Sequence, residues 1–105
     1  MTEFNKLSEH KIITSKMSEI YEAKNHDYGD SFHKSFKKYG PISAIVRMDD
    51  KLSRVHQLLC EHKEQKVSDE TVIDTLQDLA NYAIMTVLEL KLNNFEKKEY
   101  SSSVG

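Results

Sequence analysis

The chain has 105 residues, with one proline, three glycines, one cysteine and no tryptophan. This length corresponds to one domain. The scarcity of glycine and proline excludes turn-rich β-sandwiches and barrels, and also the glycine-rich phosphate loops of nucleotide-binding α/β proteins. Fifteen basic residues against 17 acidic ones give a net charge of −2, which excludes a protein that coats nucleic acid. The sequence therefore predicts an all-α protein.

The cysteine content and hydropathy pattern predict a cytoplasmic protein. Cys60 is the lone cysteine, so no disulfide can form within the chain. The sequence has no apolar segment near its N-terminus and no apolar run approaching the roughly 18 residues of a membrane span. We therefore expect a reduced, soluble protein without a membrane partner.

The first predicted element is an amphipathic helix over residues 2–26, with Ser8 as an alternative start. Its apolar stripe consists of Ile13, Met17, Ile20 and Tyr21. Residues 27–40 follow as a loop with one or two helical turns, because Gly29 and its aspartate neighbours interrupt the helix.

The Gly40-Pro41 pair predicts the start of a second long helix, since proline is well suited to the first helical position. Its apolar residues form a narrow seam typical of helix-on-helix packing: Ile42, Ile45, Met48, Leu52, Val55 and Leu59.

A polar connection over residues 61–67 leads to a last long helix, with Ser68 as its N-cap and an end near Asn93. This helix should lie antiparallel to the Pro41 helix. Its apolar positions cover more than one stripe, so we expect a homodimer or homotetramer to complete the packing. We expect one helical domain over residues 1–95 and a disordered tail over residues 96–105.

Two charged stripes on the long helices do not fit a simple core. The last helix carries Glu70, Asp74, Asp78 and Asn81 on one side. The Pro41 helix carries Arg47, Asp50, Lys51 and Arg54 away from its apolar seam. These stripes predict either an interhelical salt-bridge network or the lining of a ligand site.

The segment around residues 26–39 mixes cations with flat aromatic rings, a combination that suits nucleotides. Cations pair with phosphates, and an aromatic ring can stack on a base. Core packing remains the alternative for the phenylalanines, and solvation for the lysines. The residues are His26, His33, Lys34, Lys37 and Lys38 with Tyr28, Phe32, Phe36 and Tyr39.

Three motifs carry a family resemblance: KNHDYGDSF (residues 24–32), RMDDKLSR (residues 47–54) and DETVIDTLQDLANYAIM (residues 69–85). They resemble the nucleotide-modification-associated domain of phages and prophages. This family is compared with MazG-like, all-α nucleotide pyrophosphohydrolases, whose subunits pair and whose helices hold Mg²⁺ through carboxylates. The resemblance implies a location in the cytoplasm of a bacterial host.

Three functions follow as hypotheses. The first is a phage protein with no cofactor that binds or sequesters a nucleotide without cleaving it, such as an ADP-ribose-type or cyclic signal of bacterial immunity, and so acts against host defence. Its site residues would be Lys24, His26, Tyr28, Phe32, Arg47, Lys51, Arg54, Asp74, Asp78 and Asn81. The cation-rich motifs favour this hypothesis.

The second hypothesis is a Mg²⁺-dependent, MazG-like (d)NTP pyrophosphohydrolase. Its metal ligands would be Glu19, Glu22, Asp74 and Asp78. Here the sequence departs from the family pattern, since the first acidic cluster is incomplete and Asp74 and Asp78 are spaced by four residues rather than three. The third hypothesis is a structural or interaction protein whose charged stripes form an oligomer interface.

Overall fold

A computed structural model describes residues 3–61 and 71–104, with side chains for residues 3–61 and 71–98. The described residues form helices without strands, which confirms the predicted all-α class. The helices are α1 (Lys6–Tyr28), α2 (Ser31–Tyr39), α3 (Ile42–Leu59) and α4 (Val72–Val104). None of the described helices is both long enough and apolar enough to cross a membrane.

The chain divides into two compact units, Met1–Ser31 and Phe32–Gly105. The first unit consists of α1, which begins later than the predicted Thr2 because Asn5 caps it by accepting a hydrogen bond from the Ser8 amide at 3.0 Å. The helix ends at Gly29, whose φ of 59° is the left-handed conformation that favours glycine. Of the predicted apolar stripe, Met17 is buried and Ile13 is 40% exposed.

Helix α2 opens the second unit. It is a nine-residue amphipathic helix, longer than the predicted one or two turns, that buries Phe32 and exposes its lysines. Gly40 ends it with a φ of 81°, and Pro41 then starts α3, as the sequence predicts. The Ser43 hydroxyl donates to the Gly40 carbonyl at 2.8 Å, which fixes the turn between the two helices.

Helices α3 and α4 lie antiparallel, which confirms the predicted arrangement. Lys51 pairs with Asp78 and Arg47 lies over Tyr82, so residue numbers fall on α3 as they rise on α4. The contact between the two helices buries Ala44 (0% exposed) and Val55 on α3 and Thr75 (0% exposed) on α4. We call the line through these residues on each helix the contact line. Small side chains at this line let the two helices approach closely.

The prediction that the apolar seam of α3 packs against another helix is wrong within the chain. Val55 is buried, but Ile45 and Leu52 remain 46% and 56% exposed. The contact line runs instead through Ala44, Lys51 and Val55, so α4 meets a side of α3 that carries a lysine. The same stripe that was predicted to face away from the seam therefore takes part in the helix contact.

Helix α4 begins and ends differently from its prediction. Thr71 caps its first turn, while the predicted start at Ser68, its neighbour Glu70 and the connection over residues 61–67 fall wholly or mainly outside the described residues. At the other end, the helix continues past the predicted end at Asn93 to Val104. The domain limits at residues 95 and 96 and the disorder of the tail remain predictions.

Candidate functional site

The α3–α4 pair has one polar side, which we call the polar face. An α-helix turns by about 100° per residue, so residues three after or one before a contact position lie on the same side of the contact line. Since the helices are antiparallel, the same rotation on each helix leads to the same side of the pair. The polar face consists of Arg47, Asp50 and Arg54 of α3 with Asp74, Asp78 and Asn81 of α4.

A salt bridge joins the two helices at the edge of this face. The Nζ atom of Lys51 lies 3.3 Å from Oδ2 of Asp78, and the two side chains are 26% and 28% exposed. Because the pair is largely buried, water and salt screen its attraction less than they screen that of a surface ion pair. One predicted ligand cation and one predicted ligand carboxylate thus neutralise each other, as the salt-bridge interpretation of the stripes expects.

Arg47 lies over an aromatic stack that supports its side chain. Its guanidinium carbon is 5.9 Å from the centroid of the Tyr82 ring. The Tyr82 ring also stacks on Phe32, with centroids 6.0 Å apart and planes at 26°. A guanidinium held by a ring face keeps its N–H donors in one plane and available at its edge. Tyr82 was not among the residues singled out from the sequence.

Phe32 belongs to the core. It is 6% exposed and packs on Phe36 as well as Tyr82, with the Phe32 and Phe36 centroids 6.3 Å apart. This burial matches the core alternative for Phe32 and leaves its ring faces covered by protein. Its contribution to the polar face is indirect, because it supports the Tyr82 ring beneath Arg47.

Two guanidinium groups on the polar face have no carboxylate partner among the side chains that the structure describes. Arg47 and Arg54 are both half-buried, and neither forms an ion pair with any residue whose side chain the structure describes. They lie seven residues apart on one side of α3, about 10 Å along the helix axis. The face therefore offers two fork-shaped donors that match phosphate oxygens.

Asp74 has a structural role at the start of α4. Its Oδ2 accepts from the Thr71 amide at 3.2 Å and from the Thr71 hydroxyl at 2.9 Å. In return, the Asp74 amide donates to the Thr71 hydroxyl at 3.1 Å. This reciprocal arrangement is a capping box. Asn81 is half-buried one turn beyond Asp78.

A second polar contact that was not predicted joins α2 to α4. Nδ1 of His33 lies 2.9 Å and 2.8 Å from the two carboxylate oxygens of Glu89, and the side chains are 27% and 13% exposed. Both residues line a cavity of about 270 Å³ together with Phe36, Pro41 and Asn93. Glu89 lies eleven residues, or about three helical turns, after Asp78, so extending the polar line of α4 along the sequence would have indicated it.

The remaining candidates lie on α1. Lys24, Tyr28, Glu19 and Glu22 are exposed, and Tyr28 is 67% exposed. His26 is 89% exposed at its side chain, where Nδ1 lies 3.4 Å from Oδ1 of Asp27.

The two predicted metal ligands on α4, Asp74 and Asp78, are each engaged by another group within the chain. Asp78 faces the ammonium group of Lys51 at 3.3 Å, and Asp74 is engaged by Thr71. A cation at that distance competes with a divalent metal for the same carboxylate. Among the residues that the structure describes, no group of three or more His, Cys, Asp or Glu side chains is arranged to hold a metal ion.

The fold and the polar face define a small all-α protein whose candidate site lies on an antiparallel helix pair. Residues 24–90 match the family model described as nucleotide modification associated domain 1. Because the match covers more than half of the chain, the chain belongs to this family, and the resemblance carried by the three motifs is confirmed. Arg47, Arg54 and Tyr82 lie inside the matched segment, whereas Glu19 and Glu22 lie outside it. No curated protein and no solved structure gives a significant match.

Proposed function

We propose that this protein binds a phosphate-containing nucleotide on the polar face and holds it without cleaving it. The observation that carries the proposal is the pair Arg47 and Arg54, two half-buried guanidinium groups without a carboxylate partner among the described side chains. Half-burial strengthens their attraction for an anion, and a bidentate guanidinium–phosphate contact is among the stronger hydrogen-bonded pairs in proteins. Membership of a nucleotide-modification-associated family supports a nucleotide as the source of the phosphate.

The acidic and amide groups of the face suit the rest of a nucleotide. Asp50 and Asn81 border the arginines and can accept hydrogen bonds from ribose hydroxyls or from an amino group of the base, beside the Asp78 carboxylate that pairs with Lys51. These carboxylates also offset the charge of the cations, which favours a ligand with few negative charges over a triphosphate. ADP-ribose-type and cyclic nucleotides, the immune signals of the phage hypothesis, have this low charge.

Retention without cleavage is supported by the state of the carboxylates. A metal-dependent pyrophosphohydrolase needs several carboxylates free to hold Mg²⁺ and to activate water. Asp78 is paired with Lys51 and Asp74 caps α4, so the two acids that α4 would contribute are already engaged. The hydrolase alternative requires pyrophosphate release from dNTPs in the presence of Mg²⁺ or Mn²⁺, and unchanged dNTPs would exclude it.

Isothermal titration with a panel of mono-, di- and triphosphate nucleotides, cyclic nucleotides and ADP-ribose tests the proposal. We expect one low-charge nucleotide to bind, and Arg47→Ala and Arg54→Ala each to lower its affinity at least tenfold. Lys91→Ala is the control, because Lys91 is an exposed cation of α4 outside the polar face. An absence of binding across the panel, or equal affinities for all four proteins, would contradict the proposal.

The salt bridge gives the structural alternative a specific basis. Lys51 and Asp78 stabilise the α3–α4 contact whether or not a ligand binds. If the charged stripes serve only this purpose, Arg47→Ala should lower the melting temperature and the state of assembly. An Arg47→Ala protein that keeps its stability and assembly but loses the nucleotide would support a binding site instead.

A further inference from the structure

The side of the α3–α4 pair opposite the polar face is apolar and exposed. On α3 it carries Ile45, Leu52 and Leu59, each one residue after a position on or near the contact line. On α4 the same offset gives Leu76, Ala83 and Leu90. Both series repeat every seven residues, the spacing that keeps side chains on one side of packed helices. Val87 and Ile73 extend the surface outward on α4, and we call these eight residues the apolar face.

The two halves of the apolar face are continuous. Leu52 on α3 and Leu76 and Ala83 on α4 each follow a contact residue by one position, which is a rotation of about 100° around the helix. Because the helices are antiparallel, this rotation brings all three side chains to the same side of the pair. The register set by Lys51 and Asp78 places Leu52 beside Leu76 and Ile45 beside Ala83. Asp49 and His56 border the face on α3, so it has a polar rim.

The apolar face is as large as the largest apolar patch that a typical monomer leaves open. Its larger side chains are between 41% and 62% exposed, with Leu76 and Ile73 at the two limits. Seven such side chains, each about half exposed, present an apolar surface on the order of 600 Å². The largest patch of a typical monomer is about 300–600 Å², and each partner of a standard interface contributes about 800 Å².

We propose that the apolar face binds the apolar face of a second copy of this chain. Two antiparallel helix pairs that meet through seven-residue apolar repeats form a four-helix bundle with a two-fold axis. None of its eight residues is charged, so the centres of two identical faces meet without like-charge repulsion, and Asp49 stays at the rim. Ala83, an exposed small residue in its middle, leaves room for a leucine of the partner.

This mode of association separates assembly from ligand binding. The apolar and polar faces lie on opposite sides of the contact line, so pairing through the former leaves Arg47 and Arg54 open in both copies. Each copy then holds its own site, and no residue of the partner completes it. A variant that separates the copies but remains folded should keep its affinity for nucleotide.

Sedimentation equilibrium and circular dichroism on the full chain test the proposal with two adjacent substitutions. We expect the unsubstituted chain to sediment at twice its 12.2 kDa mass and Leu52→Glu to sediment as a single chain. Ser53→Glu places the same charge on an exposed neighbouring position outside the apolar face and should remain paired. Single-chain mass for the unsubstituted protein, or equal masses for both variants, would overturn the proposal.

The melting temperature of the unsubstituted chain gives a readout that does not depend on a variant's folding. If the native state is paired, this temperature should rise by several degrees over a hundredfold increase in protein concentration. A constant melting temperature would contradict the proposal. If Leu52→Glu unfolds, it loses both its helical circular dichroism and its paired mass, and its sedimentation no longer tests the interface. The concentration dependence of the melting temperature then decides whether the unsubstituted chain is paired.

Discussion

Lys51 of α3 lies 3.3 Å from Asp78 of α4, and this ion pair sets the register between the two longest helices of the second unit. Both side chains are about three-quarters buried, so the pair is more than a surface contact. The pair also decides which predicted site residues are available to a ligand. Lys51 and Asp78 neutralise each other, whereas Arg47 and Arg54 beside them have no carboxylate partner among the described side chains.

A double-mutant cycle should measure this pair. Lys51→Met and Asp78→Asn each remove one charge and nearly preserve side-chain volume, and each should lower the free energy of unfolding by about 1 kcal/mol or more. The double variant should lose less than the sum of the two, with a coupling of about 0.5–1 kcal/mol from urea unfolding. Asp49→Asn, at an exposed position, is the control, and strict additivity would contradict the role of the pair.

Tyr82 should affect both stability and binding. Tyr82→Leu removes the ring that contacts Phe32 and lies beneath Arg47, so we expect a loss of about 2 kcal/mol in unfolding free energy. Nucleotide affinity, measured by titration, should fall several-fold because Arg47 loses its support. Tyr82→Phe keeps both contacts and should preserve both properties. Tyr39→Leu, at a 62% exposed tyrosine, is the control, and a Tyr82→Leu protein with unchanged affinity would show that Arg47 needs no support.

Asp74 should behave as a capping residue. Asp74→Ala and Thr71→Ala each break the capping box, so either should destabilise the protein by about 1 kcal/mol in thermal or urea unfolding. Because the two residues act on each other, the double variant should cost little more than either single one. If Asp74 were instead a metal ligand, added Mg²⁺ would raise the melting temperature of the unsubstituted protein and not that of Asp74→Ala.

The His33–Glu89 contact should control how firmly α2 is held. A nine-residue helix is too short to be stable alone, so α2 depends on Phe32 and His33 for its attachment. Glu89→Ala should therefore increase the hydrogen-exchange rate of α2 amides about tenfold while the amides of α3 exchange as before. Asn94→Ala changes an exposed polar residue of the same helix that does not line the cavity beside His33, and it should leave both unchanged. Equal exchange of α2 in the two variants would contradict this role.

The sequence predicted the order of the helices well because their boundaries depend on local chemistry. Gly29 and Gly40 adopt positive φ values, which glycine tolerates best, and Pro41, whose φ is fixed, starts α3. The residues with the most unusual backbone preferences therefore mark the breaks between helices. The start of α4 was misplaced for a local reason as well. Thr71 and Asp74 have the spacing of a capping box, but Ser68 precedes them with a comparable capping side chain.

The helix contact could not be predicted from periodicity in the same way. Periodicity assigns the largest apolar residues to the interior, and so it placed Leu52 in the α3 seam. The observed contact uses Ala44, Thr75 and Lys51. Small residues allow the helices to approach closely, and the Lys51 ammonium group pairs with Asp78 on the facing helix. Which residues of α3 form the contact depends on the residues that α4 presents to them. The apolar pattern of α3 alone carries no information on those residues.

The candidate site was predicted in part. The sequence identified Arg47, Arg54 and Asp78 through their spacing, and the structure places them on one face. It assigned Phe32 to ring stacking as well, whereas the side chain is buried beneath Tyr82. An aromatic residue in a helix gives the same sequence signal in a core as at a ligand, so only its neighbours distinguish the two cases.

Recovery of an intact nucleotide tests the central claim most directly. The full-length protein and its Arg47→Ala and Arg54→Ala variants are each incubated with an equimolar pool of the nucleotides used for titration, separated from free ligand, heated and analysed by mass spectrometry. We expect one nucleotide, unmodified, at about one molecule per chain from the unsubstituted protein, and at least tenfold less from either variant. Recovery of cleavage products, of no nucleotide, or of equal amounts from all three proteins would contradict a site that binds through these arginines without cleaving.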